Sequence, residues 1–273
     1  MLESVINISE GKDKSLIQRL KSVCSSSLLD VHVDSLHNRS VFTLAGDNLV
    51  DDVKSLVKAA VDMIDLSRHK GLHPRFGVAD VIPFIVLPGL ADTPMEDAIL
   101  ARDEFLKWCT NELRVPAVSY GPERTLPNLR RQLAKENSGL YEETLYSPKT
   151  GVIAVGARKA LIAYNISVKN LSLEEGREIA SDLRSDELRL LAFSYEDKIQ
   201  ISCNLVAPWV LNPSHVYKAV DALAKDMYGK IHRTELVGLL PRSILNDIDQ
   251  AQWEKLDLGI SKTIEYRLSQ IKN

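Results

Sequence analysis

His69, Lys70, His73 and Arg75 lie close together in the run Ser67-Arg68-His69-Lys70-Gly71-Leu72-His73-Pro74-Arg75-Phe76-Gly77. Histidine can both give and take a proton near neutral pH, and clustered Lys and Arg side chains suit an anionic ligand. Pro74 lacks a backbone donor, and the glycines raise the cost of ordering. The run therefore reads as a loop between a helical pattern and an apolar strand, a place where function gathers on a rigid scaffold; the alternative is a solvated basic turn. Two histidines at i, i+4 would suit a metal on a helix, but Gly71 and Pro74 oppose helix and no third ligand accompanies them. General acid–base use of one histidine is the expected chemistry, with Arg75, Lys70 or Asp80 tuning it. His69 is expected to close the end of the preceding helix, where a cation is favourable.

Other polar positions are less specific. Asn38-Arg39 enters a strand after a polar turn, where an arginine either holds a substrate carboxylate or is an edge charge. Asn7-Ile8-Ser9-Glu10-Gly11 joins a strand to a helix, and Ser9 or Asn7 is a candidate N-cap. Arg158-Lys159 adds cations before a later strand. His32 and His37 flank the first hairpin, at the surface or in a cleft, and His215 and His232 read as structural. Gly151 to Arg158 has suggestive glycines but lacks the Lys-Ser/Thr of a phosphate loop, and no dinucleotide fingerprint follows a strand. Nucleotide and hydride chemistry are unsupported.

The 273 residues suffice for one large domain or two modest ones. With 45% hydrophobic and 26% charged residues the chain has the composition of a globular protein. A net charge of -3 offers no basic field for nucleic acid or anionic membrane. No apolar run spans a bilayer, no secretory signal is expected, and Cys24, Cys109 and Cys203 make neither a metal spacing nor a disulfide framework. A cytoplasmic, reduced, metal-free protein is the expectation.

The elements that would hold these residues follow from hydrophobic spacing. Residues 2–8 read as a strand, 11–24 as a helix, 28–33 and 40–45 as a hairpin, a helix capped by Asp47 or Asn48 follows through Ile64, and 78–87 is a strand. That order is β-α-β-β-α-β, the split βαβ unit. The second half repeats it, with strand 160–168, helix 173–184, hairpin strands 188–195 and 198–206 turning at Glu196-Asp197, helix 214–228 and a strand through Leu239. Between the halves lie a helix over 95–113, a strand over 115–120 and a polar stretch over 121–151, too long for a plain connector.

The run from Ser67 to Gly77, followed by Asp80-Val-x-Pro83-Phe84, resembles the signature of the formiminotransferase (glutamate formimidoyltransferase) family. Colinear matches are Asn7-x-Ser9-Glu10-Gly11, Leu28-Leu29-Asp30-Val31, Asn38-Arg39-Ser40-Val41, Gly156-Ala157-Arg158-Lys159-x-Leu161-Ile162-Ala163-x-Asn165-Ile166, Gln200-x-Ser202-x-Asn204-Leu205 and Glu235-Leu236-Val237-Gly238-Leu239-x-Pro241. The resemblance implies an α+β fold of two ferredoxin-like (βαββαβ) subdomains, over 1–150 and 151–273, with a ligand cleft between them and no cyclodeaminase domain. It implies transfer of a formimidoyl group from N-formimino-L-glutamate to N5 of tetrahydrofolate, a co-substrate, without a metal. The family's catalytic histidine falls on His73. Substrate and folate binding would fall on Asn7, Glu10, Asn38, Arg39, Lys70, Arg75, Gly77, Asp80, Pro148, Gly151, Arg158, Asn165, Asn204 and Glu235. A homodimer through the N-terminal subdomain is also implied. Where the family carries an acidic residue two places after Asp30, this chain has His32. Of the family's folate-contacting segment before Gly151, residues 142–150 keep only Pro148. That departure supports a second reading, a folate or small-carboxylate binding protein on the same scaffold.

Overall fold

The computed structural model describes residues 1–24, 26–71, 75–87, 89, 93–136 and 147–271. Two compact units divide the chain after Lys159, with unit 1 made of residues 1–159 and 271–273 and unit 2 of residues 160–270. The division falls later than residue 150, because the strand that follows residue 150 is hydrogen-bonded into the first sheet.

Unit 1 runs β1 (Leu2–Ile8), α1 (Lys14–Ser22), β2 (Leu28–Asp34), β3 (Arg39–Ala45), α2 (Leu49–Met63), β4 (Ala79–Val86), α3 (Met95–Trp108), β5 (Ala117–Tyr120), α4 (Leu126–Glu136) and β6 (Ile153–Lys159). Its sheet has the order β2-β3-β1-β4-β6-β5. The first four strands are antiparallel neighbours, whereas β6 joins β4 in parallel and β5 joins β6 in parallel. All eight residues of β4 are buried, as a central strand covered on both faces requires. Ile82, Phe84 and Val86 pack with α1, α2 and α3 side chains such as Leu20, Leu56 and Phe105. Val81 packs instead with Tyr120, Ala154 and Leu129 of α4.

Several local expectations are corrected here. The α1 cap is Asp13, whose carboxylate accepts from the Leu16 N–H at 2.9 Å, while Ser9 Oγ donates to the Gly77 carbonyl at 2.8 Å and Asn7 lies within β1 opposite Val41 and Val81. Asn48 begins α2 without a capping bond and donates its side-chain amide to Ser26 Oγ at 3.2 Å. The helix over 95–113 ends at Trp108 and continues as a π-helical turn over Cys109–Leu113. The polar stretch contains α4. A single strand was expected from residue 160, but β6 precedes it in the other unit.

Unit 2 runs β7 (Ile162–Lys169), α5 (Leu173–Asp182), β8 (Leu188–Tyr195), β9 (Lys198–Leu205), α6 (Pro213–Asp226), β10 (Lys230–Val237) and α7 (Ile264–Ile271, its last residue counted with unit 1). Its antiparallel sheet has the order β10-β7-β9-β8. The helices start where reciprocal capping satisfies orphan N–H groups, Ser172 with Glu175 for α5 and Asn212 with His215 for α6. That is the structural role expected of His215. Tyr164, Ile166 and Ile201 are fully buried against α5 and α6 residues such as Ile179 and Val220. The hairpin turns at Glu196, which takes a left-handed φ of 50°.

Candidate active site

Three separate segments of unit 1 meet at Asn38. Its backbone is left-handed, with φ at 48°, a conformation that asparagine tolerates better than most residues. Its side-chain oxygen accepts from the Gly11 N–H at 2.9 Å and its amide nitrogen donates to the Lys70 carbonyl at 3.0 Å. Its own carbonyl lies 2.8 Å from Nε2 of His69. These approaches leave no room for side chains at two glycines. A Cβ on Gly11 would stand 2.2 Å from the Asp34 carbonyl oxygen, and one on Gly71 would stand 2.2 Å from that of His37. His69 closes not α2, which ends six residues earlier at Met63, but the short 3₁₀ turn Leu66–Arg68, its N–H donating to the Leu66 carbonyl at 3.0 Å; its ring reaches across to the turn before β3.

A second wall fixes the far end of the histidine-containing run. The Val78 N–H donates to the Thr150 carbonyl at 2.8 Å, Val152 to Phe76 at 3.0 Å and Leu66 to Lys149 at 2.8 Å. Gly77 and Gly151 form an isolated antiparallel bridge. Gly151 has φ at 68°, and a Cβ there would meet the Phe76 carbonyl oxygen at 2.1 Å. Pro148 lies on the exposed turn that this wall holds.

The electrostatic centre is Asp80, 2% exposed at the start of β4. Its carboxylate accepts from the backbone N–H groups of Phe76 and Gly77. Burial pushes its pKa above the usual carboxylate range; the Phe76 N–H, Arg130, the Gly77 N–H and Arg39 oppose that rise. Burial lowers Arg39, while Asp80 and Asp34 hold it up and Arg130 and Arg75 press it down. Burial likewise lowers Arg75, with Asp80 opposing. Arg39 Nε is buried and makes no hydrogen bond. The Arg130 guanidinium sits 5.4 Å from the centre of the Phe76 ring, a cation–π distance. Arg75 lies 3.0 Å through Nη1 from His69 Nε2 and donates through Nη2 to the His37 carbonyl at 3.4 Å. Burial also raises the Tyr120 phenol, opposed chiefly by the nearby positive charge of Arg158. Around one buried carboxylate the structure thus sets Arg39, Arg75 and Arg130, a donor-rich surface suited to carboxylate ligands.

The structure brings Asn38, Arg39, Lys70, Arg75, Gly77, Asp80 and Gly151 into this one neighbourhood. Arg158 joins it through Tyr120. Glu10 serves its own loop, its carboxylate accepting from the N–H groups of Lys12 and Asp13 at 2.7 and 2.9 Å. His73 lies outside the described residues. In unit 2, Asn165 and Glu235 are opposite each other on β7 and β10, with the Asn165 amide donating to Glu235 at 3.1 Å, and Asn204 is exposed on β9. Sequence reading missed Arg130 and Tyr120, which carry no motif, and for His69 found only its place at a helix end, not the reach of its ring to Asn38. His37, of undecided location before, is 2% exposed, with Nε2 3.8 Å from the Asp34 carboxylate. Among the described residues no group of His, Cys, Asp and Glu could hold a metal ion.

A family model, the formiminotransferase domain, N-terminal subdomain, matches residues 1–158, a span that ends one residue short of the division between the units. The chain is 33% identical over 280 residues to the glutamate formimidoyltransferase of Thermoplasma acidophilum, covering 91% of this chain and 90% of that protein. It is 28% identical over 293 residues to the glutamate formimidoyltransferase of Streptococcus pyogenes, covering 97% of each. Against the formimidoyltransferase-cyclodeaminase of Rattus norvegicus it is 29% identical over 308 residues, spanning 100% of this chain but 56% of that protein.

Proposed function

This chain belongs to the formiminotransferase family, and we propose that it moves a formimidoyl group from N-formimino-L-glutamate to N5 of tetrahydrofolate, with His73 as general acid and base. It is a one-carbon group transferase. N5 attacks the formimidoyl carbon, forming the new C–N bond and a tetrahedral intermediate. N5 then gives up a proton, the bond to the glutamate nitrogen breaks, and that nitrogen leaves as an amine after gaining a proton. One imidazole can accept the first proton and return the second, which contributes roughly 10²–10⁴-fold. Further acceleration comes from holding two substrates in register.

The observation that carries this reading is the guanidinium cluster around Asp80. Both substrates bear carboxylates, and Arg39 offers a buried Nε with no hydrogen-bond partner, within reach of the charges of Arg75, on the segment flanking His73, and Arg130, on α4. Asn7, Glu10, Asn38, Lys70, Gly77, Pro148, Gly151 and Arg158 are assigned to substrate and folate binding from the first unit. Asn165, Asn204 and Glu235 are assigned to substrate binding from the second unit. Each unit reads as a ferredoxin-like layer, since the strand orders β4-β1-β3-β2 and β10-β7-β9-β8 place the first and third strands of each repeat at the centre. The two layers correspond to N- and C-terminal subdomains. We also assign the protein to the cytoplasm as a homodimer; no helix among the described residues is long and apolar enough to cross a membrane.

A spectrophotometric transfer assay with tetrahydrofolate and N-formimino-L-glutamate, wild type against His73→Ala, tests the mechanism. Wild type turns over and the variant loses at least about 10²-fold in kcat, as removal of an acid–base group requires. Full activity in the variant removes His73 from the mechanism. Tight tetrahydrofolate binding without transfer by wild type points instead to a folate-binding protein on the same scaffold, the alternative raised by residues 142–150.

A further inference from the structure

We propose that His69 is a positioning residue of the transfer reaction, its ring strapping the segment that flanks His73 to the Asp34–Arg39 turn. The proposal rests on the transfer reading above for its kinetic consequence, but the strap itself is a property of this fold. Nε2 of His69 lies between two groups of opposite demand, the Asn38 carbonyl at 2.8 Å and Nη1 of Arg75 at 3.0 Å. A carbonyl only accepts and a guanidinium only donates, so one ring nitrogen cannot bond both. Nδ1 decides between them. It is buried and has no hydrogen-bond partner. A proton there would strand a buried N–H and turn a lone pair toward the Asn38 carbonyl, and orphaned buried donors are the rarer and costlier defect. The proton therefore belongs on Nε2, where it is donated to Asn38.

That bond is one of three successive ties from the same short stretch. His69 binds the Asn38 carbonyl, Lys70 accepts from the Asn38 side chain at 3.0 Å, and Gly71 lies so close to the His37 carbonyl that a Cβ would stand 2.2 Å from its oxygen. On the other side of residues 72–74, Arg75 donates to that same His37 carbonyl at 3.4 Å. Both flanks of the segment that carries the catalytic histidine are thus anchored to residues 37 and 38. The first tie is the only one of these made by an imidazole ring, and it acts on position rather than on the reacting atoms.

Three variants test this. Glutamine places an amide N–H where Nε2–H lies, alanine removes the donor, and phenylalanine keeps the ring volume without a donor. His69→Ala and His69→Phe should lower kcat by about 10- to 100-fold with KM for both substrates changed by less than about threefold, the scale expected from an ångström of misplacement. His69→Gln should recover kcat to within about fivefold of wild type. Hydrogen–deuterium exchange supplies a readout independent of turnover, in which amides of residues 69–77 exchange faster in the alanine and phenylalanine variants but not in the glutamine variant. Unchanged kcat in both donor-free variants, or a loss that glutamine fails to restore, overturns the proposal. So does unchanged exchange over residues 69–77. Wild type without any transfer activity would sink the proposed function instead, leaving exchange to decide whether the strap exists.

Discussion

The ring of Tyr120 lies directly against the backbone of Gly156, so that a Cβ at Gly156 would stand 2.1 Å from Cζ and 2.3 Å from Cε1. The two residues are also register partners on β5 and β6. This contact sets how near the phenol comes to Arg158, and it ties the outer edge of the first sheet to the charged centre at Asp80.

Gly156→Ala should destabilise the protein by about 1–3 kcal/mol, the usual cost of overpacking a close-fitted interior. Tyr120 is 3% exposed and packs with Val81, Leu129 and Ala154. Urea unfolding monitored by circular dichroism checks this. A midpoint equal to wild type would mean that the ring moves freely, and that the contact does not define the edge.

Asn38 separates backbone strain from hydrogen bonding. Asn38→Gly removes the two side-chain bonds, to Gly11 and Lys70, at about 0.5–1.5 kcal/mol each. Asn38→Ala removes the same bonds and leaves a non-glycine residue without a local hydrogen bond at φ 48°, adding about 1–2 kcal/mol. The expected order of stability is wild type, then glycine, then alanine. Equal stability of the two variants, measured by thermal unfolding, would show that the left-handed turn relaxes.

Asp80 carries a pH signature. Burial raises its carboxyl on folding, so protonated Asp80 favours the native state. That stability is complete below the unfolded pKa and is lost as pH rises through the higher native value. Asp80→Asn keeps an oxygen to accept from Phe76 and Gly77 but cannot ionise. The stability of the variant relative to wild type should therefore improve as pH is raised from about 4 toward neutrality. Denaturant titrations at both ends of that range measure it, and a relative stability that falls with rising pH would reverse the account.

Short-range pattern alone determined much of this protein. The histidine-bearing run and its glycines were recognisable as a candidate site because loop chemistry is written in consecutive residues, whereas Asn38-Arg39 stood undecided until folding brought it against that run. The two β-α-β-β-α-β successions were readable because amphipathic spacing is local: Val53, Leu56, Val57 and Ala60 recur on one face of α2, and all are buried there. Tertiary structure decided what depends on distant partners. Ile153–Lys159 is a strand because it fills the slot between β4 and β5, and a run of small apolar residues does not announce a parallel partner some 70 positions earlier. Arg130 joins the site only because α4 lies over Val81 and Tyr120, and a helix of unremarkable polar composition carries no such address. His69 ends the helical turn Leu66–Arg68, as its place in the sequence suggested, but its ring is also a strap because it meets a backbone carbonyl 31 residues away. Backbone carbonyls are alike in every sequence, so which one an imidazole meets is settled only when the chain has folded.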